Sequence, residues 1–420
     1  MWDTPGIYKT SFAAPIAISE SWCVFISSSI QRHYGQKPFE TAGTHHDSDQ
    51  NRIRRTLEHR VGILCTGTPL LQPPLSAQYA ITAVSTTSSQ SASASAKKYS
   101  ELTKRPVKPY HGSTNQIAAD PEVDFVVVAI KGPEHKAAVM PAIKHGKDVF
   151  VEWPLGTSLQ EATEIAEAAR RKGVRTMVGA QSWQNPVVKK VREWVSSGKI
   201  GKVISATWVG SNPAEIPYWT PFCQERDVYS LDAKSGATAI DVVMAHNLSA
   251  LIFVLGPLSS VSSTTAQFFH EAKFVDITGK PTGGSVPSNS PDQFAFTGLL
   301  KDSGAILTAT WRGGITSTTP GDKARPSVLW LIDGDKGHIR IESEAPMGTF
   351  MQSFVPEKVI LNGKEMKVLE GQDTLGNTGR AFEEFAKGSG GVYPTFDDAV
   401  LIQRHVEAIK RVRRKGGESI

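Results

Sequence analysis

One stretch limits the fold more than any other: VDFVVVAIKGPEHKAAVMPAIKHGKDVFVEWPLG, from Val123 to Gly156. Val123 to Ile130 is a mostly apolar run of strand length, and Asp148 to Glu152 is a second. Such runs read as strands covered on both faces, the situation of parallel sheets. Between them Gly132-Pro133-Glu134 opens a helix: proline fits where its missing N–H costs nothing, and glutamate favours the positive helix end. Parallel strands joined by helices form an α/β sheet, and these sheets bind ligands in the loops at their carboxyl ends.

The pattern extends both ways. Upstream, Val61 to Leu64 and Tyr79 to Ser85 read as strands, the second followed by an alanine- and serine-rich helical stretch to Tyr99. Downstream, Ser158-Leu-Gln-Glu161 predicts a capping box, and Ala162, Ile165, Ala166 and Ala169 recur at helical spacing. Arg175 to Gly179 is a further strand, and a helix over Pro186 to Ser197 closes this part.

From Val203 the chain changes to hairpins. Gln293 to Leu300 turns at Asp302-Ser303-Gly304 into Ala305 to Trp311, and Val328 to Ile332 turns into His338 to Glu342. Asn362-Gly363 separates two short β-rich runs, and both residues tolerate positive φ. The expected architecture is α/β plus α+β: an N-terminal Rossmann-like parallel sheet, then a largely antiparallel sheet with C-terminal helices. The expected boundaries are a poorly ordered extension over 1–57, a nucleotide-binding domain over 58–182 and a substrate and dimerisation domain over 183–420.

The first crossover departs from that plan. A Rossmann unit places a glycine-rich loop after its first strand, so that backbone N–H groups and a helix N-terminus face a pyrophosphate. Here Gly62 lies within the strand and Gly67 remains, but no GxGxxG follows. Only residues 68–78 separate Gly67 from the next strand, and Pro69, Pro73 and Pro74 oppose a helix there. The first helix is predicted to be truncated, through a real deletion or a segment lost from the gene model, and the phosphate loop to be weakened.

Composition excludes several classes. A balance of 46 basic against 41 acidic residues, spread along the chain, does not predict direct nucleic-acid binding. Cys23, Cys65 and Cys223 show neither a CxxC pair nor zinc spacing, which predicts a reducing compartment and no metal site. Neither a membrane span nor a secretory leader is expected, so the cytoplasm is the predicted location, with the nucleus as the alternative. The basic end Lys410 to Lys415 reads first as cations at a helix C-terminus and second as a nuclear address.

Taken in order, VDFVVVAIKGPEH, VEWPLG, the segment Gly179 to Trp208 and SGATAIDVVMAHNLSALIFVLG from Ser235 to Gly256 resemble the Gfo/Idh/MocA family of oxidoreductases. Within it the chain is similar to a fungal branch that includes a galactose-pathway transcriptional regulator. The resemblance covers about Arg60 to Arg414. It implies an NAD or NADP cofactor, a small-molecule substrate such as a sugar, a polyol or a related secondary alcohol, and a homo-oligomer. The alternative it carries is a catalytically silent nucleotide-binding co-regulator with a protein partner.

The same resemblance implies site residues. Family members typically use the lysine of a Glu-Lys-Pro motif and a later histidine; here Glu152 and Pro154 match while Trp153 stands at the lysine position, and His246 falls at the histidine. An indole N–H donates but cannot accept a proton, so His246 is the expected catalytic residue. Ser249 stands where an acidic residue usually follows, and Asp241 precedes His246 at a spacing that places it poorly on a regular helix face. Expected cofactor contacts are Gly62, Gly67, Ser85, Thr86, Pro133, His135, Glu152, Trp153 and Gln181, with the hydroxyls after the second strand mildly favouring NADP. Tyr218, Trp219, Tyr229 and Asp232 are the expected substrate residues.

Overall fold

The computed structural model describes residues 59–64, 68–213, 218–276, 278–315, 326–345, 347–368 and 375–411. The predicted extension over 1–57 and Gly67 lie outside them. Six parallel strands form the first sheet: β1 (His59–Leu64), β2 (Tyr79–Thr86), β3 (Lys108–His111), β4 (Phe125–Val128), β5 (Asp148–Val151) and β6 (Thr176–Val178). Their order is β3-β2-β1-β4-β5-β6, that of a doubly wound dinucleotide-binding sheet. The sequence reading missed β3, whose lysine, proline and alternating burial make it an edge strand without an apolar run.

Alternation along the strands distributes the core. Val126, Val128, Val149 and Val151 face one side, with the short α2 (Asn115–Ala119), α3 (His135–Lys144) and α4 (Leu159–Lys172). Phe125, Val127 and Phe150 face the other, with Tyr99 of α1 (Ser89–Thr103). Where a crossover helix between β1 and β2 would lie, the described residues make two short turns, Thr68–Leu71 and Leu75–Ala77. The truncation read from the prolines is present. A helix from far along the chain, α7 (Gly376–Ala386), supplies cover on that face: its Phe385 stacks on Phe125 at 4.7 Å and its Phe382 lies 5.3 Å from Phe150.

At α4, Ser158 accepts the Glu161 N–H as predicted. The glutamate does not reach back to Ser158; its Oε2 takes both N–H and hydroxyl of Thr157, one residue earlier. Past α5 (Pro186–Ser196) and the strand β7 (Val203–Pro213), a small sheet holds β8 (Phe222–Cys223), β10 (Glu271–Val275) and β11 (Pro281–Pro287). Strand β9 (Leu258–Ala266) joins the large sheet with β12 (Gln293–Leu300), β13 (Ile306–Ile315), β14 (Val328–Gly334), β15 (Gly337–Ser343), β16 (Lys358–Leu361) and β17 (Lys364–Glu365).

The large sheet has the order β17-β16-β15-β14-β7-β13-β12-β9 and is antiparallel except for the β7–β13 pair. Asn362 and Gly363 turn the β16–β17 hairpin with φ of 51° and 79°, as the dipeptide predicted. Trp208, Trp311 and Trp330 form the fully buried inner face of this sheet. Against it pack α6 (Ala245–Leu255) and α8 (Phe396–Arg411), so the helix carrying His246 is clamped between both sheets.

Candidate active site

The site grows from the carboxyl ends of β4, β5 and β6. Glu152 follows β5 directly, and Gln181 follows β6; the Gln181 amide donates to both Glu152 carboxylate oxygens at 3.0 and 2.9 Å. The fit leaves no room behind it, since a Cβ on Gly179 would sit 2.2 Å from Glu152 Oε2. The buried Oε1 of Gln181 has no protein partner.

Trp153 is 7% exposed, and the peptide bond to Pro154 is cis. Its indole Nε1–H donates to the Asp241 carbonyl at 2.7 Å, and its ring centre lies 6.1 Å from that of His246. The tryptophan therefore occupies the family's lysine position as a packed donor, with no proton to exchange.

His246 sits in the first turn of α6, just after a π-helical turn at Ile240–Met244 in which Met244 N–H reaches back to the Ala239 carbonyl. One extra residue is absorbed there, a device frequent at functional sites. Asp241 nonetheless does not orient the imidazole: Oδ2 takes the Thr238 hydroxyl and Oδ1 the Lys410 ammonium at 2.8 Å. Ser249 meets the Ser182 hydroxyl at 3.1 Å, and Ser182 also donates to the His246 carbonyl. The imidazole is left with its buried Nδ1 unpartnered, and burial pushes its pKa down to about 3. At neutral pH the ring is uncharged, able to donate at one nitrogen and accept at the other.

Other expected residues are placed differently. His135 is fully buried at the head of α3, its two ring nitrogens against the carbonyls of Pro154 (2.7 Å) and Ile130 (3.0 Å). It ties two carboxyl-end loops together and has no surface to offer a cofactor; burial lowers its pKa. Gly62 is paired on both sides within the sheet, with Ala83 and Val126, rather than in a phosphate loop. Pro133 is an exposed turn residue. Ser85 is buried at the end of β2, and the Thr86 hydroxyl is already engaged by the Ser88 carbonyl and the Ser91 hydroxyl.

Of the expected substrate residues, three come together. The hydroxyls of Tyr218 and Tyr229 lie 3.4 Å apart, and Tyr218 packs edge-on to Trp219 at 4.2 Å. Trp219 also borders a closed-in cavity of about 10 Å³ with Asn212, Leu231 and Trp311, room for about one water. The exposed Asp232 points elsewhere: its carboxylate accepts from Lys234 N–H and Asn289, shaping a loop.

Sequence reasoning overlooked Lys131 and Asp227. Lys131 follows β4, and its ammonium bonds the Arg226 carbonyl at 3.2 Å and lies 5.5 Å from the Tyr229 ring centre, bridging the two sheets' loops. Asp227, on the turn Glu225–Leu231, is wholly buried, with a long ion pair from Oδ2 to Arg226 Nε at 3.7 Å. Lys131 lies within the VDFVVVAIKGPEH segment, and Asp227 two residues before Tyr229; those neighbours were the available signal.

A nicotinamide dinucleotide fits this frame at one end. Gln181 Oε1 and His246 Nδ1 are buried atoms of the kind that a carboxamide or a hydroxyl satisfies, and Lys131, Glu152 and Trp153 surround the same strand ends. At the pyrophosphate end, among the described residues, the turns after β1 supply no α-helix N-terminus. Among the described residues no group of acidic, histidine or cysteine side chains could hold a metal ion.

Comparison with known proteins gives the same frame. The family described as "Oxidoreductase family, NAD-binding Rossmann fold" matches residues 62–180, and "Gal80p, C-terminal domain" matches 186–343. The chain is 30% identical to dehydrogenase aclE of Aspergillus oryzae over 83% of this chain and 91% of that protein. It is 26% identical to the galactose/lactose metabolism regulatory protein GAL80 of Saccharomyces cerevisiae over 54% of this chain and 52% of that one, about half the regulator's length. A super-repressor mutant structure of the yeast Gal80p superposes with a TM-score of 0.73 at 22% identity, covering 86% of this chain and 97% of that one. Levoglucosan dehydrogenase in complex with NADH and levoglucosan gives 0.65 at 17% identity, covering 85% and 98%. With that extent of matching sequence and the sheet order described above, the chain belongs to the Gfo/Idh/MocA family of oxidoreductases.

Proposed function

We propose that the protein is an NAD(H)- or NADP(H)-dependent oxidoreductase acting on a sugar, a polyol or a related secondary alcohol, with His246 as the proton-handling residue. The observation that carries this reading is the unpartnered Nδ1 of a buried, neutral imidazole beside the carboxyl end of β5. The dehydrogenase relative matched over most of its length supports it. The bound nicotinamide would accept the hydride from the carbinol carbon. Within the chain, His246 Nδ1 accepts a hydrogen bond from the hydroxyl and, being a weak base when buried, takes its proton only as hydride departure turns the O–H into that of a strongly acidic protonated carbonyl; Glu152 and Gln181 fix the adjoining polar edge, and Trp153 excludes water.

A second reading, a nucleotide-binding regulator without turnover, is favoured by Trp153, which leaves the site without the lysine typical of the family. A protein partner would then replace the substrate. In either case the outer face of the large sheet, where Val209, Leu329 and Leu331 are half-buried, is the surface for self-association, and the expected location is the cytoplasm or nucleus.

Purified protein is screened against sugars and polyols for absorbance change at the nicotinamide band. Turnover that falls about 100-fold or more in His246→Ala supports the first reading; unchanged kcat removes His246 from its role. Nucleotide binding without turnover supports the regulator.

A further inference from the structure

Asp227 is a costly residue to bury. Its carboxyl group is shielded from solvent, and the adjoining Arg226 forms a long ion pair with it, Nε lying 3.7 Å from Oδ2. An ionised carboxylate in that setting has a desolvation cost of several kcal/mol that one long ion pair offsets only in part, whereas a protonated one is tolerable. Around it stand Tyr218 and Cys223 from the segment before the turn, Arg226 and Tyr229 on the turn, and Lys131 from the loop after β4, with Glu134 acting on Tyr229. Lys131 is the cation that crosses between the two sheets' loops, and at present it is spent on a neutral carbonyl and a ring face.

We propose that Asp227 is a positioning residue that carries a proton in this arrangement, and that losing the proton tightens its long ion pair with Arg226 and draws Lys131 off its present contacts towards the carboxylate. With the proton on Asp227, the Lys131 ammonium stays at the carboxyl end of β4, where an anionic nucleotide would meet it. When the proton leaves to solvent, the new carboxylate competes for the same cation. Burial supports the assignment by raising the Asp227 pKa to about 7, with Arg226 and Lys131 opposing the rise.

The sign of the linkage is fixed. A carboxyl raised from 3.8 to about 7 keeps a proton in the folded chain that the unfolded chain has lost, so stability falls as pH rises through that window. The test is the thermal midpoint of the full chain between pH 5 and pH 8.5, for the parent and for Asp227→Asn, which imitates the protonated form. His246 adds a rise in stability with pH up to about 6.5 that both proteins share, so the expected result is a parent midpoint that falls with pH relative to that of Asp227→Asn, the gap widening up to about pH 7; superimposable pH profiles would overturn the proposal. Should Asp227→Asn not fold, Lys131→Met carries the test: its titration moves to higher pH because a compensating cation is gone, and an unmoved titration overturns the proposal.

The consequence for the ligand rests on the function proposed above. NADH affinity is expected to weaken several-fold from pH 6 to pH 8 in the parent and to stay level in Asp227→Asn. A parent affinity that does not change overturns the positioning role. The melting profiles need no nucleotide, so failure of the nucleotide reading and failure of the Asp227 assignment give different results.

Discussion

At position 153 an indole fills a buried slot and spends its only donor on the Asp241 carbonyl. Restoring the lysine of the family motif by Trp153→Lys would leave a cavity, orphan that carbonyl and bury an ammonium. The expected outcome is a loss of at least ~3 kcal/mol in urea unfolding and no gain in turnover. His246 makes a second prediction. Its folded pKa of about 3 against an ordinary 6.5 means that the unfolded chain binds a proton the folded chain refuses, so stability drops as pH falls from 6.5 towards 3. This part is on the order of 4 kcal/mol, and His246→Gln should remove most of it from an acid-unfolding curve. The identities of Glu152, Trp153 and His246 could be read from motif positions. The orphaned Nδ1, the turned-away Asp241 and the buried Asp227 could not, because each depends on contacts made across long stretches of chain.

Strands and helices were legible where one physical signal dominated. The apolar runs of β4 and β5, the Ser158 cap and the Asn362-Gly363 turn each satisfy a local rule, and each element formed where that rule places it. The edge strand β3 and the π turn before His246 answer to pairing and packing instead, and left no periodic trace. The truncated crossover was legible from its prolines, but its compensation by α7 was not, since Phe125 and Phe385 lie far apart in sequence. That compensation sets a prediction: Phe385→Ala should cost about 3 to 5 kcal/mol, because its ring is fully buried and faces a layer with no crossover helix behind it. A chemical-denaturation midpoint measures it. Gly179→Ala acts on the neighbouring element, forcing Glu152 away from Gln181, and should weaken nucleotide binding roughly tenfold or more by calorimetry.

Across the whole molecule, one body of packed side chains runs from the valines of β4 and β5 through α6 to the tryptophans of the large sheet. His246, Trp153 and Gln181 lie on that continuous core, so the site's geometry is set by the joining of the two sheets and not by a single loop. Among the described residues no helix covers the outer face of the large sheet, where Thr207, Val209, Leu329 and Leu331 are half-buried. Sedimentation equilibrium should therefore show a dimer, and Leu331→Arg should shift it towards monomer. The function proposed for the chain requires a nicotinamide dinucleotide to seat at the carboxyl ends of β4, β5 and β6 without a crossover helix to hold its pyrophosphate. Calorimetric titration of NADH into the full chain tests this: a saturable, one-to-one isotherm that Gly179→Ala weakens is predicted, and the absence of any saturable heat up to millimolar nucleotide would contradict it.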